Sequence, residues 1–183
     1  PAAGAVGVPA ASRGPAWGVL AGRGVECCSA PAGIALGPQS ATAGNMAWRV
    51  GNSHGLMAEY EARYTVDGQH GALSTLLFLN SARMGKYSEV LSDPVRYNND
   101  ITATRRDGRL KYGMAVSLEQ QLRHGTGMFL RLSANDGATE SWAFTEIDRS
   151  AAIGVVQDGG LWHRDRDEAG AAVIGIAHLT VNR

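Results

Sequence analysis

The clearest pattern along the chain is an alternation of apolar and polar positions with a period of two. Over residues 58–66, alanine, tyrosine and valine occupy every second position, and Glu59, Glu61 and Arg63 lie between them. Because successive side chains of a strand point to opposite faces, this pattern predicts a β-strand with one apolar and one charged face. The run DGQHG then predicts a five-residue turn into a mostly apolar strand over 72–80.

Two further hairpins are predicted by the same reasoning, although small residues weaken the alternation in the second. Their strands cover 111–122 with 126–133, and 150–157 with 169–181. The count is therefore six clear strands, or eight if segments over 142–147 and near Trp48 are added.

The segment between the first and second hairpins carries different signals. Residues 81–91 place Met84, Tyr87 and Leu91 on one helical face, which predicts a short helix that ends before Pro94. Residues 92–110 predict a long polar loop.

Alternation of this kind fits two architectures. A soluble β-sandwich turns its apolar face inward, whereas a membrane β-barrel turns it outward towards lipid. Three of the predicted strands run nine to twelve residues, whereas soluble strands average about 5–6 residues. Charges of both signs in mid-strand also suit a water-filled lumen. The alternation alone does not tell which face is the lumen.

Composition divides the chain near residue 47. Residues 1–47 hold 27 alanine, glycine or proline residues and three charges, and residues 48–183 hold the other 31 charges. A segment so poor in large side chains buries little apolar surface to offset the entropy of ordering, so we expect no stable element in 1–47. Two interpretations stay open: a flexible linker, or a stretch that is not native coding sequence. We expect the chain as a whole to be a fragment.

Charge and composition also exclude several functions. Seventeen basic and seventeen acidic residues give a formal net charge of zero, which argues against nucleic-acid binding because phosphate neutralisation requires a basic excess. Cys27 and Cys28 are too few for a disulfide framework or a four-ligand zinc site, and the five histidines show no metal spacing. Glu140 and Glu146 flank an aromatic segment, but strand geometry separates them by about 20 Å, beyond the ~5–10 Å of a glycosidase pair.

Several phrases carry a resemblance to a known family. They include LLFLNSARMG over 76–85, DITATRR over 100–106, FLRLSANDG over 129–137 and, most specifically, TESWAFTEIDR over 139–149. In this order they resemble the carbohydrate-selective porins of the Gram-negative outer membrane, from about residue 56 to residue 183.

The resemblance implies an all-β fold: an antiparallel up-and-down transmembrane β-barrel, present here as roughly six to eight strands of a larger porin barrel. Residues 1–47 then form an unstructured or non-native segment and residues 48–183 a partial barrel domain. The implied function is passive, carbohydrate-selective diffusion in the cell outer membrane. Expected partners are carbohydrate solutes, outer-membrane lipid and a second copy in a homo-oligomer, with no nucleic acid, no cofactor, no metal and no enzyme activity.

A sugar-selective lumen offers charged and amide groups to hydroxyls, and aromatic rings to the apolar face of the sugar. The strand faces and the family phrases give nine candidate lumen residues: Glu59, Glu61, Arg63, Lys111, Glu119, Arg131, Trp142, Glu146 and Arg149. A soluble, non-enzymatic β-sheet carbohydrate-binding module is the first alternative. A carbohydrate-active enzyme is the second, but the sequence shows no carboxylate pair within reach.

Overall fold

The computed structural model of the chain describes residues 18–25, 28–36, 51, 53–140 and 147–177. These residues form eight β-strands, one short α-helix and three 3₁₀ turns. The strands are β1 (Gly18–Val25), β2 (Cys28–Leu36), β3 (His54–Val66), β4 (Gln69–Met84), β5 (Arg106–Gln121), β6 (Thr126–Asn135), β7 (Arg149–Asp158) and β8 (Glu168–Ala177). Helix α1 covers Tyr87–Ser92, and the 3₁₀ turns cover Ile101–Thr104, Arg123–Gly125 and Gly159–Trp162.

All eight strands belong to one antiparallel sheet in which each strand pairs with its neighbours in sequence. The order runs from β1 to β8, which is an up-and-down arrangement, and β1 and β8 are the edges of the described sheet. The all-β prediction is confirmed, and the three predicted hairpins are confirmed as β3–β4, β5–β6 and β7–β8. The predicted strand near Trp48 and most of the one over 142–147 lie outside the described residues.

The first predicted hairpin has a tighter turn than the sequence indicated. Only Asp67 and Gly68 separate β3 from β4, and both adopt positive φ values of 51° and 77°. Two left-handed residues in a row match the right-handed twist of the flanking strands, so a two-residue turn suffices. The pairing therefore continues through Gln69–Gly71, which we had assigned to the turn.

The connections differ between the two ends of the sheet. At one end, the strands of each hairpin are joined by two residues after β1, two after β3, four after β5 and nine after β7. At the other end, the connections span residues 37–53, 85–105 and 136–148. Transmembrane barrels share this asymmetry of short turns and long loops. We call the two ends the short-turn end and the long-loop end.

The register separates the side chains into an apolar face and a polar face. Backbone pairs connect rows of residues across the sheet, and two adjacent rows show the contrast between the faces. One row on the apolar face consists of Ala62, Leu73, Leu118, Leu130, Ile153 and Val173. The adjacent row on the polar face begins with Glu61, Ser74, Ser117, Arg131 and Ala152.

The apolar face is not covered by a second layer. Among residues 53–140 and 147–177, the buried hydrophobic side chains are only Ala82, Met84 and Val90, whereas Leu77 is 54% exposed. A soluble sandwich would bury such a face against another sheet. The arrangement therefore disagrees with the soluble alternative, since nothing in the described chain shields this face from water.

The expectation of no regular structure in residues 1–47 is wrong for two ranges. Strands β1 and β2 occupy 18–25 and 28–36, and β2 pairs with β3 from Cys28↔Ala62 to Leu36↔His54. Large side chains are not required for these strands, because a strand added to an existing edge is held by backbone hydrogen bonds that small residues also provide.

The predicted helix over 81–91 is also largely wrong. Strand β4 continues to Met84 because β5 begins at Arg106 and pairs with it, and the helix is confined to Tyr87–Ser92. The predicted polar loop over 92–110 is wrong for its last five residues, because β5 begins at Arg106. Ala82 and Met84 are fully buried on the polar face, which the helical spacing of Met84, Tyr87 and Leu91 did not reveal.

Candidate functional site

Six of the nine candidate residues share the polar face. Glu59, Glu61 and Arg63 lie on β3, Lys111 and Glu119 on β5, and Arg131 on β6, with registers that place all six on one side of the sheet. The structure thus brings together residues that lie more than seventy positions apart in the sequence, since consecutive strands align their alternating faces.

A concave region of about 800 Å³ lies on the polar face near the short-turn end. Its wall includes Arg63, Glu119 and Arg131, together with His70 and Phe129. The Arg131 Nη2 atom lies 3.4 Å from Glu119 Oε1, and on β3 the Arg63 Nε atom lies 2.7 Å from Glu61 Oε1. The arginine side chains are largely exposed, so these pairs add little stability and remain available to a ligand.

Phe129 is a member of this site that the sequence analysis did not select. Its ring lies over Gly154 on β7, and a Cβ atom at position 154 would be only 2.5 Å from the ring. The Arg131 guanidinium carbon lies 5.0 Å from the ring centroid. The signal was present in the sequence, since Phe129 alternates with Met128 and Leu130 and falls in step with Arg131. The candidates chosen from the strand faces were all charged residues, so this aromatic was not among them although the alternation places it on the same face as Arg131.

A second aromatic repeats this arrangement further along the polar face. A Cβ at Gly113 would come within 2.6 Å of the Phe78 ring, so Phe78 lies across β5 as Phe129 lies across β7. Each ring therefore lies across a neighbouring strand at a position without a side chain. Aromatic side chains cover glycines of neighbouring strands in other sheets as well.

Lys111 occupies the predicted face but not the predicted environment. The residue is only 7% exposed, and its Nζ atom donates a hydrogen bond to the Thr139 carbonyl oxygen at 2.9 Å. A buried ammonium needs such acceptors. Lys111 therefore secures a loop segment against the sheet rather than facing an open lumen.

Two segments at the long-loop end fold back over the polar face; we call residues 85–105 and 136–140 the inner loops. The Glu140 carboxylate is ion-paired with Arg105 and accepts a hydrogen bond from the Gly85 backbone N–H at 3.0 Å. The Glu140 backbone N–H donates to the Gly85 carbonyl at 2.9 Å. The hydrogen bond to Glu140 raises the pKa of Arg105 above its usual range, against a smaller effect of burial. Glu140 is thus committed to holding the inner loops together.

The other three candidates are not part of this group. Arg149 lies at the start of β7 on the apolar face, in a row with Ala134, Met114 and Leu77. The prediction that Arg149 lies with the other lumen candidates is therefore wrong, because Arg149 is on the opposite face of the sheet. Trp142 and Glu146 lie outside the described residues.

The catalytic and metal-binding alternatives gain no support from the geometry. Glu140, one of the two carboxylates considered for a glycosidase, is buried in its ion pair with Arg105. Within the described ranges, no three histidine, cysteine or acidic side chains are grouped as metal ligands would be. No helix in this part of the chain is both long enough and apolar enough to cross a membrane.

Comparison with known proteins agrees with the fold and the separation of faces. Residues 26–181 match the carbohydrate-selective porin, OprB family. Among solved structures, OprB of Pseudomonas putida, determined at high pH, matches with a TM-score of 0.65 at 18% sequence identity. That match covers 88% of this chain and 39% of the other, so the chain spans about two-fifths of its length. Comparison with curated proteins gives no match.

The family match includes β2 and every strand after it, and it covers the six polar-face candidates together with Phe78 and Phe129. It also confirms the resemblance found in the sequence phrases. The chain belongs to the carbohydrate-selective porin OprB family.

Proposed function

We propose that the described sheet is part of the wall of an outer-membrane β-barrel in a Gram-negative bacterium, and that its polar face lines a water-filled lumen through which carbohydrates diffuse down their gradient. The observation that carries this proposal is that one uncovered sheet has a mostly apolar face and an opposite face that carries the charged side chains of β3, β5 and β6. A lipid-facing surface and an aqueous lumen require that contrast between the faces. Barrels that leave an aqueous channel have about 16–18 strands, so the complete wall needs more strands than the eight described.

The strand lengths and the connections support the membrane placement. β3 has 13 residues and β4 has 16, and about 9–11 tilted residues cross a bilayer. In outer-membrane barrels the short turns face the periplasm and the long loops face the outside. We therefore orient the inner loops towards the outer mouth of the channel and the 800 Å³ concavity towards the periplasm.

The concavity supplies the two kinds of contact that a sugar needs. Phe129 offers a flat apolar ring surface, and the pairs Arg131–Glu119 and Arg63–Glu61 offer donors and acceptors beside it. Each arginine already has a carboxylate neighbour, which favours neutral sugars over anions at this position. Glu59 adds one more acceptor along β3. Passage by diffusion requires no catalytic step and no cofactor.

Some parts of the interpretation stay predictions. Lumen contacts by Trp142 and Glu146 continue to rest on the family phrase alone, as do contact with lipid and assembly into a homo-oligomer. Lys111 enters the proposal as a loop anchor, and Arg149 as a residue on the lipid-facing side at the long-loop end.

Ion current through planar bilayers that contain the complete barrel tests the channel, and its block by sugars tests the site. We expect Phe129→Ala to raise the glucose concentration for half-block about fivefold, since roughly 1 kcal/mol of apolar contact is lost. Tyr60→Ala is the matched control because Tyr60 is an exposed aromatic on the apolar face, and it should leave the block unchanged. The absence of an open-channel current would overturn the channel, and unchanged block in Phe129→Ala would overturn the role of Phe129.

A further inference from the structure

A second concavity lies apart from the candidate sugar contacts, at the long-loop end. It is a cleft of about 370 Å³ between α1, the first residues of β5 and the inner loop over 138–139. Its walls carry an excess of basic side chains: Lys86, Arg106 and Arg109, against the carboxylates of Glu89 and Asp107. The proposed function uses none of these five residues.

A β-bulge explains why two of these arginines meet. Residues three apart on a regular strand point to opposite faces. In β5, however, the register shifts so that Arg109 pairs with Ala82 and Arg106 pairs with Met84, two residues of β4 on the same face. Gly108 has φ +74° within this shift, which a glycine adopts without strain. The bulge thus places both guanidinium groups on the side where α1 presents Glu89.

Glu89 alone does not neutralise the three basic side chains of the cleft. Its Oε1 atom lies 2.7 Å from Arg109 Nη2, and its Oε2 atom lies 3.7 Å from Arg106 Nη2, a distance beyond a hydrogen bond. The hydrogen bond from Arg109, with the charges of Arg109, Arg106 and Lys86, holds the pKa of Glu89 below its usual range against the effect of burial. Three cations therefore act on one carboxylate, and with Asp107 included the cleft keeps one excess positive charge.

Two polar atoms at the cleft are buried with no hydrogen-bond partner in the part of the chain that the structure describes: the donor Arg109 Nη1 and the acceptor Glu89 Oε2. The Glu89 Oε2 atom still faces the Arg106 guanidinium at 3.7 Å, whereas the Arg109 side chain is only 11% exposed and its Nη1 atom faces no such group in that part of the chain. Unpaired buried donors of this kind are uncommon and costly. The Arg106 guanidinium and Lys86 are exposed, so both can turn towards a ligand held in the cleft.

We propose that this cleft binds a single anionic group, a carboxylate or phosphate, at the outer mouth of the sheet, with Arg106, Arg109 and Lys86 as its ligands. Guanidinium groups suit such anions because their N–H groups match the geometry of carboxylate and phosphate oxygens. An acidic sugar and the phosphate of an outer-leaflet lipid present the same chemistry. The inference goes beyond the proposed function, since binding in the cleft requires no passage through the lumen.

Binding of inorganic phosphate to the full chain, folded in a neutral detergent, tests the site through broadening of the ³¹P resonance. Arg106→Gln should weaken binding about fivefold, because it removes one unit charge near the anion in water-like surroundings. Glu89→Gln should tighten binding by a similar factor, because it removes the competing carboxylate but keeps its size. Arg123→Gln removes the same charge at the short-turn end and should change nothing.

Competition experiments identify the class of ligand. Glucuronate should displace phosphate at concentrations where glucose, its neutral counterpart, does not. Phosphatidic acid doped into the micelles separates the two sources: displacement below the glucuronate concentration indicates a lipid phosphate, and the reverse indicates a solute. Equal phosphate affinity in the wild type, Arg106→Gln and Glu89→Gln would overturn the proposal, and so would displacement by glucose. Because the assay needs no ion current, failure of this site is distinguishable from failure of the channel.

Discussion

Replacing Glu140 by alanine should release the inner loops while leaving the sheet intact. The Glu140 side chain is 5% exposed and that of Arg105 is 19% exposed, so the substitution removes a buried carboxylate from a partly buried guanidinium. It also leaves the Gly85 N–H without the carboxylate that accepts from it. Breaking a buried ion pair from one side costs about 3–5 kcal/mol. Because Arg105 keeps some contact with solvent, we take the lower end, about 3 kcal/mol.

A free-energy change of about 3 kcal/mol raises the open population of the inner loops about 100-fold. Hydrogen exchange of peptides covering 85–105 and 136–140 should accelerate by that factor, whereas a β7 peptide should not change. Glu119→Ala provides the matched control, because its ion pair with Arg131 lies on the same face with both side chains more than half exposed. Exposed pairs contribute about 0–1 kcal/mol, so its effect on exchange should be less than about fivefold.

Two results would contradict this reasoning. Exchange of the inner loops in Glu140→Ala within threefold of the wild type would show that the Arg105–Glu140 pair does not hold them. Equal acceleration in the β7 peptide would show that the substitution unfolds the sheet. A double-mutant cycle with Arg105→Met measures the coupling between Arg105 and Glu140, because the Arg105–Glu140 contact is lost only once when both residues are replaced.

Three further predictions concern the sheet, one turn and the outer cleft. Leu77→Arg should cost about 2–4 kcal/mol in refolding into vesicles, because Leu77 lies on the apolar face that we propose to contact lipid, whereas Leu76→Arg on the polar face should cost far less. Gly68→Ala should lower stability by about 1 kcal/mol in denaturant titrations, since position 68 has φ +77°. The lowered pKa of Glu89 means that its contact with Arg109 stabilises the fold above the unfolded-state pKa. That stability is lost as pH falls below about 4, which exchange of an α1 peptide would detect.

Local alternation was enough to predict the strands with strong contrast between faces. Residues 58–66 and 111–122 carry that contrast; the first range lies within β3, and the second lies within β5 except for its last residue. The same alternation placed Glu61 and Arg131 on one face, because strand geometry fixes the face once the pairing is correct. The sequence could not reveal which of these side chains stays open to solvent.

The failures arise where pairing with distant strands decides the outcome. Lys111 continues the alternation of its strand, yet the inner loop covers it, and that loop is fixed by Glu140 and Arg105, which lie 35 positions apart. Arg149 was assigned from the family phrase without a register, and only its pairing with Ala134 shows the face. Strand β2 shows no alternation of apolar and polar residues. Its backbone pairing with β3 places it in the sheet, and a pattern of side chains does not reveal that pairing.

The rings of Phe78 and Phe129 lie across neighbouring strands only because Gly113 and Gly154 have no side chain. One added methyl group at either glycine would come within about 2.6 Å of the ring, so the ring would have to leave its place across the neighbouring strand. In the barrel that we propose, a ring displaced from the wall narrows the lumen, although the residue changed is the smaller member of the pair. We therefore expect each glycine and its aromatic partner to change together among related porins: a bulkier residue on one strand should accompany a smaller one on the next.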